Sequence, residues 1–150
     1  MNMWELQVIK YLSSVEKKDR IVHRIRQEKD ALESKTYAIG NPDATDRVQG
    51  SPSRDRIEKN VIHLQEKVAE LAAAEDAYWE FRLQVMDQIN RIESSKHAEV
   101  LFRHYMQYQK FKKIAEEMDY SYTHITRLHQ EALNKFRRVN PELLEFLKKL

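Results

Sequence analysis

The chain has 150 residues, a formal net charge of +2 and no cysteine, which excludes disulfides and thiolate metal sites and fits a reducing, cytoplasmic compartment. Hydrophobic residues make up 41% of it, which is too many for a disordered chain, and no stretch is long and apolar enough to suggest a membrane partner. With only 2 glycines and 3 prolines, it also lacks the turn residues that sheets use. The composition therefore predicts an all-α protein.

The first predicted helix runs from Met3 to Ser34. Its apolar residues mostly follow alternating steps of four and three, a spacing that places them on one stripe of a helix. They are Trp4, Val8, Tyr11, Val15, Val22, Ile25 and Leu32. Residues 34–53 contain both glycines and two of the three prolines, so we expect a long loop there.

A second long helix is predicted from Arg54 to Glu93, and it carries a heptad repeat. The repeat predicts a coiled-coil seam, interrupted at Glu75 and Arg82. The seam residues are Ile57, Val61, Leu64, Val68, Leu71, Tyr78, Val85 and Ile89. Residues 1–93 would then form an antiparallel hairpin for oligomerisation or partner binding. Since two helices alone bury little surface, we expect a homo-oligomer, most simply a dimer.

Shorter helices are predicted over residues 94–105, 110–118 and 122–138, and they form a second domain, 94–139. A last helix, residues 141–150, is capped by Asn140 and packs on the core or on a partner subunit. The expected inward residues of the three helices are Val100, Leu101, Tyr105, Phe111, Ile114, Ala115, Met118, Ile125, Leu128, Ala132, Leu133 and Phe136. A tight turn over residues 119–121 follows the second of these helices, and Ser121 is expected to cap the third. The pattern predicts a helix-turn-helix.

The start of the helix at 122–138 is polar rather than charged or apolar, and residues 94–139 carry nine Lys and Arg against five Asp and Glu, a net of +4. In DNA-binding helix-turn-helix proteins this region contacts base edges in the major groove of double-stranded DNA. The predicted base-reading residues are Tyr122, Thr123, His124, Thr126, Arg127 and Gln130. The predicted phosphate contacts are Lys110, Lys112, Lys113, Ser121, Lys135, Arg137 and Arg138.

The run from Phe111 to Arg138, with KIAEEM and EALNKFRR, resembles the promoter-reading C-terminal domain of bacterial sigma factors. The chain is also similar to a phage and prophage family of sigma-factor-like regulators, through DRVQGSPSRD (46–55) and RHYMQYQKFKKIAEEMDYSYTHITRLHQEAL (103–133). The resemblance implies a DNA-binding regulator of transcription in a bacterial host cell, with RNA polymerase as a further candidate partner. Asp119 replaces the family's usual glycine. The base-reading positions of sigma factors are rich in Arg and Glu, whereas here they are Tyr122, Thr123, His124, Thr126 and Arg127, so a different DNA target is expected.

No pattern in the chain predicts an enzyme, a cofactor or a metal site. His124 and His129 are five positions apart, and Glu116 and Glu117 are adjacent, so neither pair shares a helix face. The sequence contains no glycine-rich phosphate loop and no nucleophile elbow. Two alternatives stay open beside the regulator. One is a small terminase-like subunit that recognises DNA for packaging, and the other is a sigma-like module that binds RNA polymerase without reading DNA.

Overall fold

The computed structural model describes residues 2–40 and 54–149. All regular secondary structure in these residues is helical, which confirms the all-α class. None of the helices in this part of the chain has both the length and the apolar character of a membrane span. In chain order the helices are α1 (Met3–Gly40), α2 (Arg54–Asn90), α3 (Ser95–Leu101), a π-helical turn (Phe102–Met106), α4 (Phe111–Met118), α5 (Tyr122–Val139) and α6 (Leu143–Leu147).

Helix α1 is longer than predicted, because it continues to Gly40 instead of ending at Ser34. No glycine or proline stands between these two positions, and the Thr36 hydroxyl donates to the Leu32 carbonyl at 2.8 Å without breaking the helix. The predicted start of the loop at residue 34 was therefore wrong. The rest of that loop, residues 41–53, lies outside the described residues.

The ends of α2 and α3 also differ from prediction. Helix α2 ends at Asn90, three residues early, because the Arg91 and Ile92 amides donate to carbonyls only three positions back, at 3.4 and 3.0 Å. The predicted helix over 94–105 divides into α3 and the π-helical turn, in which the Gln107 amide donates to the Phe102 carbonyl at 3.1 Å. The Arg82 guanidinium donates to the Met106 carbonyl at 3.0 Å, so this seam interruption has a hydrogen-bonding role at the end of the turn.

Helix α6 is shorter than the predicted 141–150, because it spans Leu143–Leu147. Asn140 does not cap it with its side chain. That amide is fully buried and donates to the carbonyls of Gln88 and Phe136, at 3.1 and 2.9 Å. Leu143 and Leu147 are buried as expected, whereas Leu144 and Phe146 remain about half exposed.

The chain forms two compact units, one of residues Lys18–Tyr78 and one that joins Met1–Lys17 to Trp79–Leu150. The predicted domain boundary between residues 93 and 94 lies inside the second of these units. The reason is the size of the core, since the short C-terminal helices alone bury too little apolar surface. Val8, Leu12 and Val15 of α1 are fully buried in this unit, as is Val85 of α2.

Within the unit Lys18–Tyr78, ion pairs connect the α1 segment to the α2 segment. Arg26 pairs with Glu75 and Lys67 pairs with Glu28, both at 2.7 Å. The two pairs occur in opposite order along the two segments. Because all four side chains are at least partly exposed, solvent screens both pairs and they add little to stability.

The predicted seam is covered unevenly along α2. Its last three residues, Tyr78, Val85 and Ile89, are buried, whereas Ile57, Leu64 and Leu71 are half-buried. Val61 and Val68 remain 39% and 50% exposed. In the described residues of the unit Lys18–Tyr78, these two valines are seam positions that remain exposed.

Candidate nucleic-acid interface

The turn between α4 and α5 has the hydrogen bonds of a Schellman motif. Asp119 adopts the left-handed conformation, with φ 60° and ψ 44°, and its amide donates to the Glu116 carbonyl. The Tyr120 amide donates to the Ala115 carbonyl at 2.9 Å. The structure thus places Asp119 where a glycine is normally favoured, and aspartate is one of the few residues that tolerate this conformation.

The residue type at position 119 has a measurable effect on stability. We expect Asp119→Gly to raise the free energy of unfolding by about 0.5–1 kcal/mol, because glycine adopts a positive φ without the steric penalty of a Cβ atom. Asp119→Ala keeps the Cβ and loses the polar side chain, so it should lower stability instead. Urea unfolding of the two variants beside the wild type measures the difference. A destabilised glycine variant would contradict the assignment of strain to this residue.

Helix α5 begins at a side-chain cap. Ser121 has an extended backbone, and its Oγ accepts a hydrogen bond from the His124 amide at 3.1 Å, as predicted. The serine hydroxyl hydrogen is not used in this bond. It therefore stays available for the phosphate contact that the sequence predicts.

A compact apolar cluster fixes the crossing of α4 and α5. Its members are the buried residues Val100, Ile114, Ala115, Ile125 and Leu128, with Phe111 and Met118 packed against them. The small side chain of Ala115 allows the close approach of the two helices. Because Ile125 and Leu128 face inward, the opposite face of α5, with Thr123, Arg127 and Gln130, is turned toward solvent.

The predicted base-reading residues occupy the outward part of α5. Tyr122, Thr123, Arg127 and Gln130 are exposed, and His124 and Thr126 are half-buried. The spacing of Thr123, Thr126, Arg127 and Gln130 follows one helix face, whereas Tyr122 and His124 lie on its two flanks. The structure therefore brings four of the six residues onto a common stripe.

Several of these side chains are held by neighbours on α5 or in the turn before it. The Arg127 guanidinium donates to His124 Nδ1 at 2.6 Å, and the Tyr120 ring packs edge-on against the His124 ring, with centroids 4.6 Å apart. The Thr126 hydroxyl donates to the Thr123 carbonyl at 2.8 Å, which leaves its methyl group and its oxygen lone pairs for other contacts. Arg127 is thus oriented before any ligand binds.

Two of the residues predicted to contact DNA, Gln130 and Arg137, contact side chains in the first turn of α1. Gln130 Nε2 donates to Glu5 Oε1 at 3.3 Å, and the Arg137 guanidinium lies 4.6 Å from the centroid of the Trp4 ring. Sequence reasoning missed this packing, because the two partners of the hydrogen bond are 125 positions apart and no local pattern links them. Trp4 and Glu5 therefore form part of the surface beside the reading helix.

The predicted phosphate contacts surround this surface. Lys110, Lys112, Lys113 and Arg138 are exposed, and Lys135 and Arg137 are half-buried. Lys113 Nζ lies 3.9 Å from Glu117, a distance that leaves it a weakly held surface cation. Arg103, which is not among the predicted contacts, pairs with Glu99 and Glu117 and so connects the π-helical turn to α4.

A hydrogen-bonded chain of three side chains connects α3 to α5. Ser94 Oγ lies 2.5 Å from His97 Nδ1, and His97 Nε2 lies 2.8 Å from Glu131 Oε2. His97 is buried, and its hydrogen bond lowers the pKa of the Glu131 carboxyl. These hydrogen bonds hold the middle of α5 in place and so support the stripe that contains Arg127.

Within residues 2–40 and 54–149, no three His, Asp or Glu side chains are grouped closely enough to hold a metal ion. Comparison with known proteins adds no assignment, since no family model, no curated protein and no solved structure matches the chain. The geometry of α4 and α5 is accordingly the basis for a functional proposal.

Proposed function

We propose that this protein is a sequence-specific regulator of transcription, of phage or prophage origin, that binds double-stranded DNA through a sigma-like helix-turn-helix. The observation that carries the proposal is the capped two-helix unit, in which a Schellman turn and the Ser121 cap support an exposed polar stripe on α5. Such a stripe at the start of a second helix is the part of this motif that enters the major groove.

The chemistry of the stripe matches base edges. Arg127 can donate two hydrogen bonds to guanine O6 and N7, and the Gln130 amide can pair with adenine. The Thr126 methyl group suits the thymine methyl. His124 holds Arg127 from the side, which reduces the side-chain entropy lost when the guanidinium binds.

The surrounding cations supply affinity that does not depend on sequence. Lys110, Lys112 and Lys113 lie at the start of α4, and Lys135, Arg137 and Arg138 lie at the end of α5. Phosphate contacts from these two clusters would position the duplex against the stripe. Since such contacts release counterions, binding should weaken steeply as salt concentration rises.

Selection of bound duplexes from a random pool tests the proposal directly. We expect enrichment of one motif, followed by fluorescence-anisotropy titrations in which log affinity falls linearly with log salt concentration. Enrichment of an inverted repeat would in addition indicate a symmetric dimer. A protein that enriches no motif and binds no duplex at low salt would refute the proposed function and would favour a role confined to protein contacts.

We also propose that α1 and α2 form an antiparallel coiled-coil hairpin that pairs with a second copy. The exposed seam positions Val61 and Val68 support this, because the intramolecular partner leaves them uncovered. A dimer would present two reading helices to two half-sites. RNA polymerase is a further candidate partner, which the regulator would recruit without any chemical step.

Charges placed in the seam should separate the subunits. We expect Val61→Glu/Val68→Glu to run as a monomer in light-scattering measurements and to bind the selected inverted repeat at least about tenfold more weakly, since the second half-site is no longer engaged. Gln65→Glu/Ala72→Glu is the matched control, with the same spacing at exposed positions outside the seam. A wild-type protein that is already monomeric would overturn the pairing through this seam.

A further inference from the structure

A cavity of about 470 Å³ lies beside α5 in the unit that joins Met1–Lys17 to Trp79–Leu150. Helix α1 contributes Glu5 and Ile9 to its wall, the π-helical turn contributes His104, and α4 contributes Phe111. Helix α5 contributes Thr126, His129 and Gln130. The volume is within the range of small-molecule sites, roughly 300–1,000 Å³.

Among the described residues of this lining, the acidic one is Glu5, and it is 6% exposed. Its two oxygens accept hydrogen bonds from the Asn2 amide at 3.0 Å and from Gln130 Nε2 at 3.3 Å. In the part of the chain that the structure describes, no lysine, arginine or histidine forms an ion pair with it. A buried carboxylate without a countercharge is unfavourable, so the cavity favours a cation.

Part of the cavity wall consists of uncharged aromatic rings. The His104 ring stacks on Phe111, with centroids 4.2 Å apart and planes 20° from parallel, and His129 lies 4.7 Å from Phe111. Burial lowers the pKa of both histidines, to about 4 for His129, so neither ring carries a charge at pH 7. Stacked rings of this kind accept the face of a planar group.

We propose that this cavity binds a small planar organic cation, an aromatic ring that bears an amidinium or guanidinium group. The Glu5 carboxylate accepts the N–H bonds of the cationic group, and the aromatic body lies against Phe111 and His104. The ligand replaces Gln130 as a hydrogen-bond donor to the Glu5 carboxylate. If the proposed DNA-reading function holds, binding at the cavity changes how α5 reads bases, because Thr126 and Gln130 line the same space.

Three probes of matched size and shape test the charge preference without DNA. Benzamidine is a cation, benzamide is neutral and benzoate is an anion at pH 7. Titrating each into the full chain, with amide chemical shifts as the readout, should show benzamidine binding at least about tenfold more tightly than benzamide, and no saturable binding of benzoate. Equal affinity for all three, or no binding of benzamidine, would overturn the proposal.

Variants then locate the binding. Glu5→Gln keeps the side-chain shape and should reduce benzamidine affinity to that of benzamide, whereas Glu145→Gln, an exposed carboxylate of the same unit, should leave it unchanged. Ile9→Phe fills the cavity and should abolish binding of both compounds; circular dichroism confirms that each variant is folded. Unchanged benzamidine affinity in folded Glu5→Gln or folded Ile9→Phe would place the compound elsewhere and refute the site.

A separate experiment with DNA tests the regulatory consequence. Addition of benzamidine should shift the affinity for the selected duplex in the wild type and not in Ile9→Phe. An unchanged affinity with bound benzamidine would refute the coupling. Failure to bind any DNA would refute the proposed function alone, because the titrations in the preceding experiment contain no DNA.

Discussion

Arg127→Ala should weaken binding to the selected DNA by about 1–3 kcal/mol, which corresponds to roughly 5- to 150-fold, and should relax base preference at one position of the site. The guanidinium is exposed, lies on the stripe of α5 and is oriented by His124, so its loss removes an interaction that is organised in advance. Anisotropy titrations on the selected duplex and on duplexes changed at single positions measure both effects.

Arg127→Lys sharpens this test, since it keeps the charge but loses the planar fork that pairs with guanine. We expect it to lose base preference almost as fully as the alanine variant. Lys113→Ala is the control for general electrostatics. It should weaken all sequences alike and reduce the slope of log affinity against log salt by about 1. If Arg127→Ala leaves the preference for every base intact, another element reads the DNA.

Lowering the pH should destabilise the unit that contains α5 already at pH values well above those at which its carboxylates become protonated. Burial, together with the neighbouring His104, lowers the pKa of His129 to about 4, against about 6.5 in an unfolded chain. Well above pH 6.5, the His129 imidazole is neutral in both the folded and the unfolded state, and His129 does not lower the free energy of unfolding. As the pH falls from 6.5 toward 4, the unfolded state gains a proton that the folded state does not bind, so stability is lost.

The expected loss between pH 7 and pH 5 is about 2 kcal/mol from His129, at about 1.4 kcal/mol per pH unit below 6.5. Urea unfolding followed by tryptophan fluorescence measures it in the correct unit, because both tryptophans, Trp4 and Trp79, belong to that unit. His129→Gln retains an acceptor for the Tyr105 hydroxyl, which now lies 2.7 Å from His129 Nε2. This variant should be less stable at pH 7, because the ring packing is lost, but much less sensitive to pH.

His63→Gln is the matched control, since it removes an exposed histidine from the other unit. It should retain the pH dependence of the wild type. A His129→Gln variant that loses as much stability as the wild type between pH 7 and pH 5 would show that His129 is not the group responsible.

Local patterns predicted α4, α5 and the turn between them in detail. Inward positions at steps of three and four were correct for Ile114, Ile125 and Leu128, which are buried in one cluster. Ser121 was correctly assigned as a cap because serine before a helix has a specific bonding role, and Asp119 adopts the left-handed conformation that its place in the turn requires. These features depend on neighbours within a few residues, so one sequence suffices to predict them.

Contacts between distant residues were beyond prediction from a single sequence. The bond of Gln130 to Glu5, the Trp4 ring beside Arg137 and the burial of Asn140 all depend on how helices pack, and helix periodicity does not specify which partner covers a given face. The π-helical turn was also not predicted, since its register depends on long-range hydrogen bonds such as that from the Arg82 guanidinium to the Met106 carbonyl. The assignment of DNA contacts to individual side chains stays a prediction for the same reason.

The hydrogen bond between Glu5 and Gln130 joins residues that lie 125 positions apart and are therefore synthesised well apart in time. Its partners belong to one compact unit whose core also needs Val8, Leu12 and Val15 from the same early segment. During translation these apolar side chains emerge long before α5, so the unit closes only when its last helices have left the ribosome. In evolution, a recombination event that carried α4 and α5 alone to another protein would leave behind part of the core that supports them.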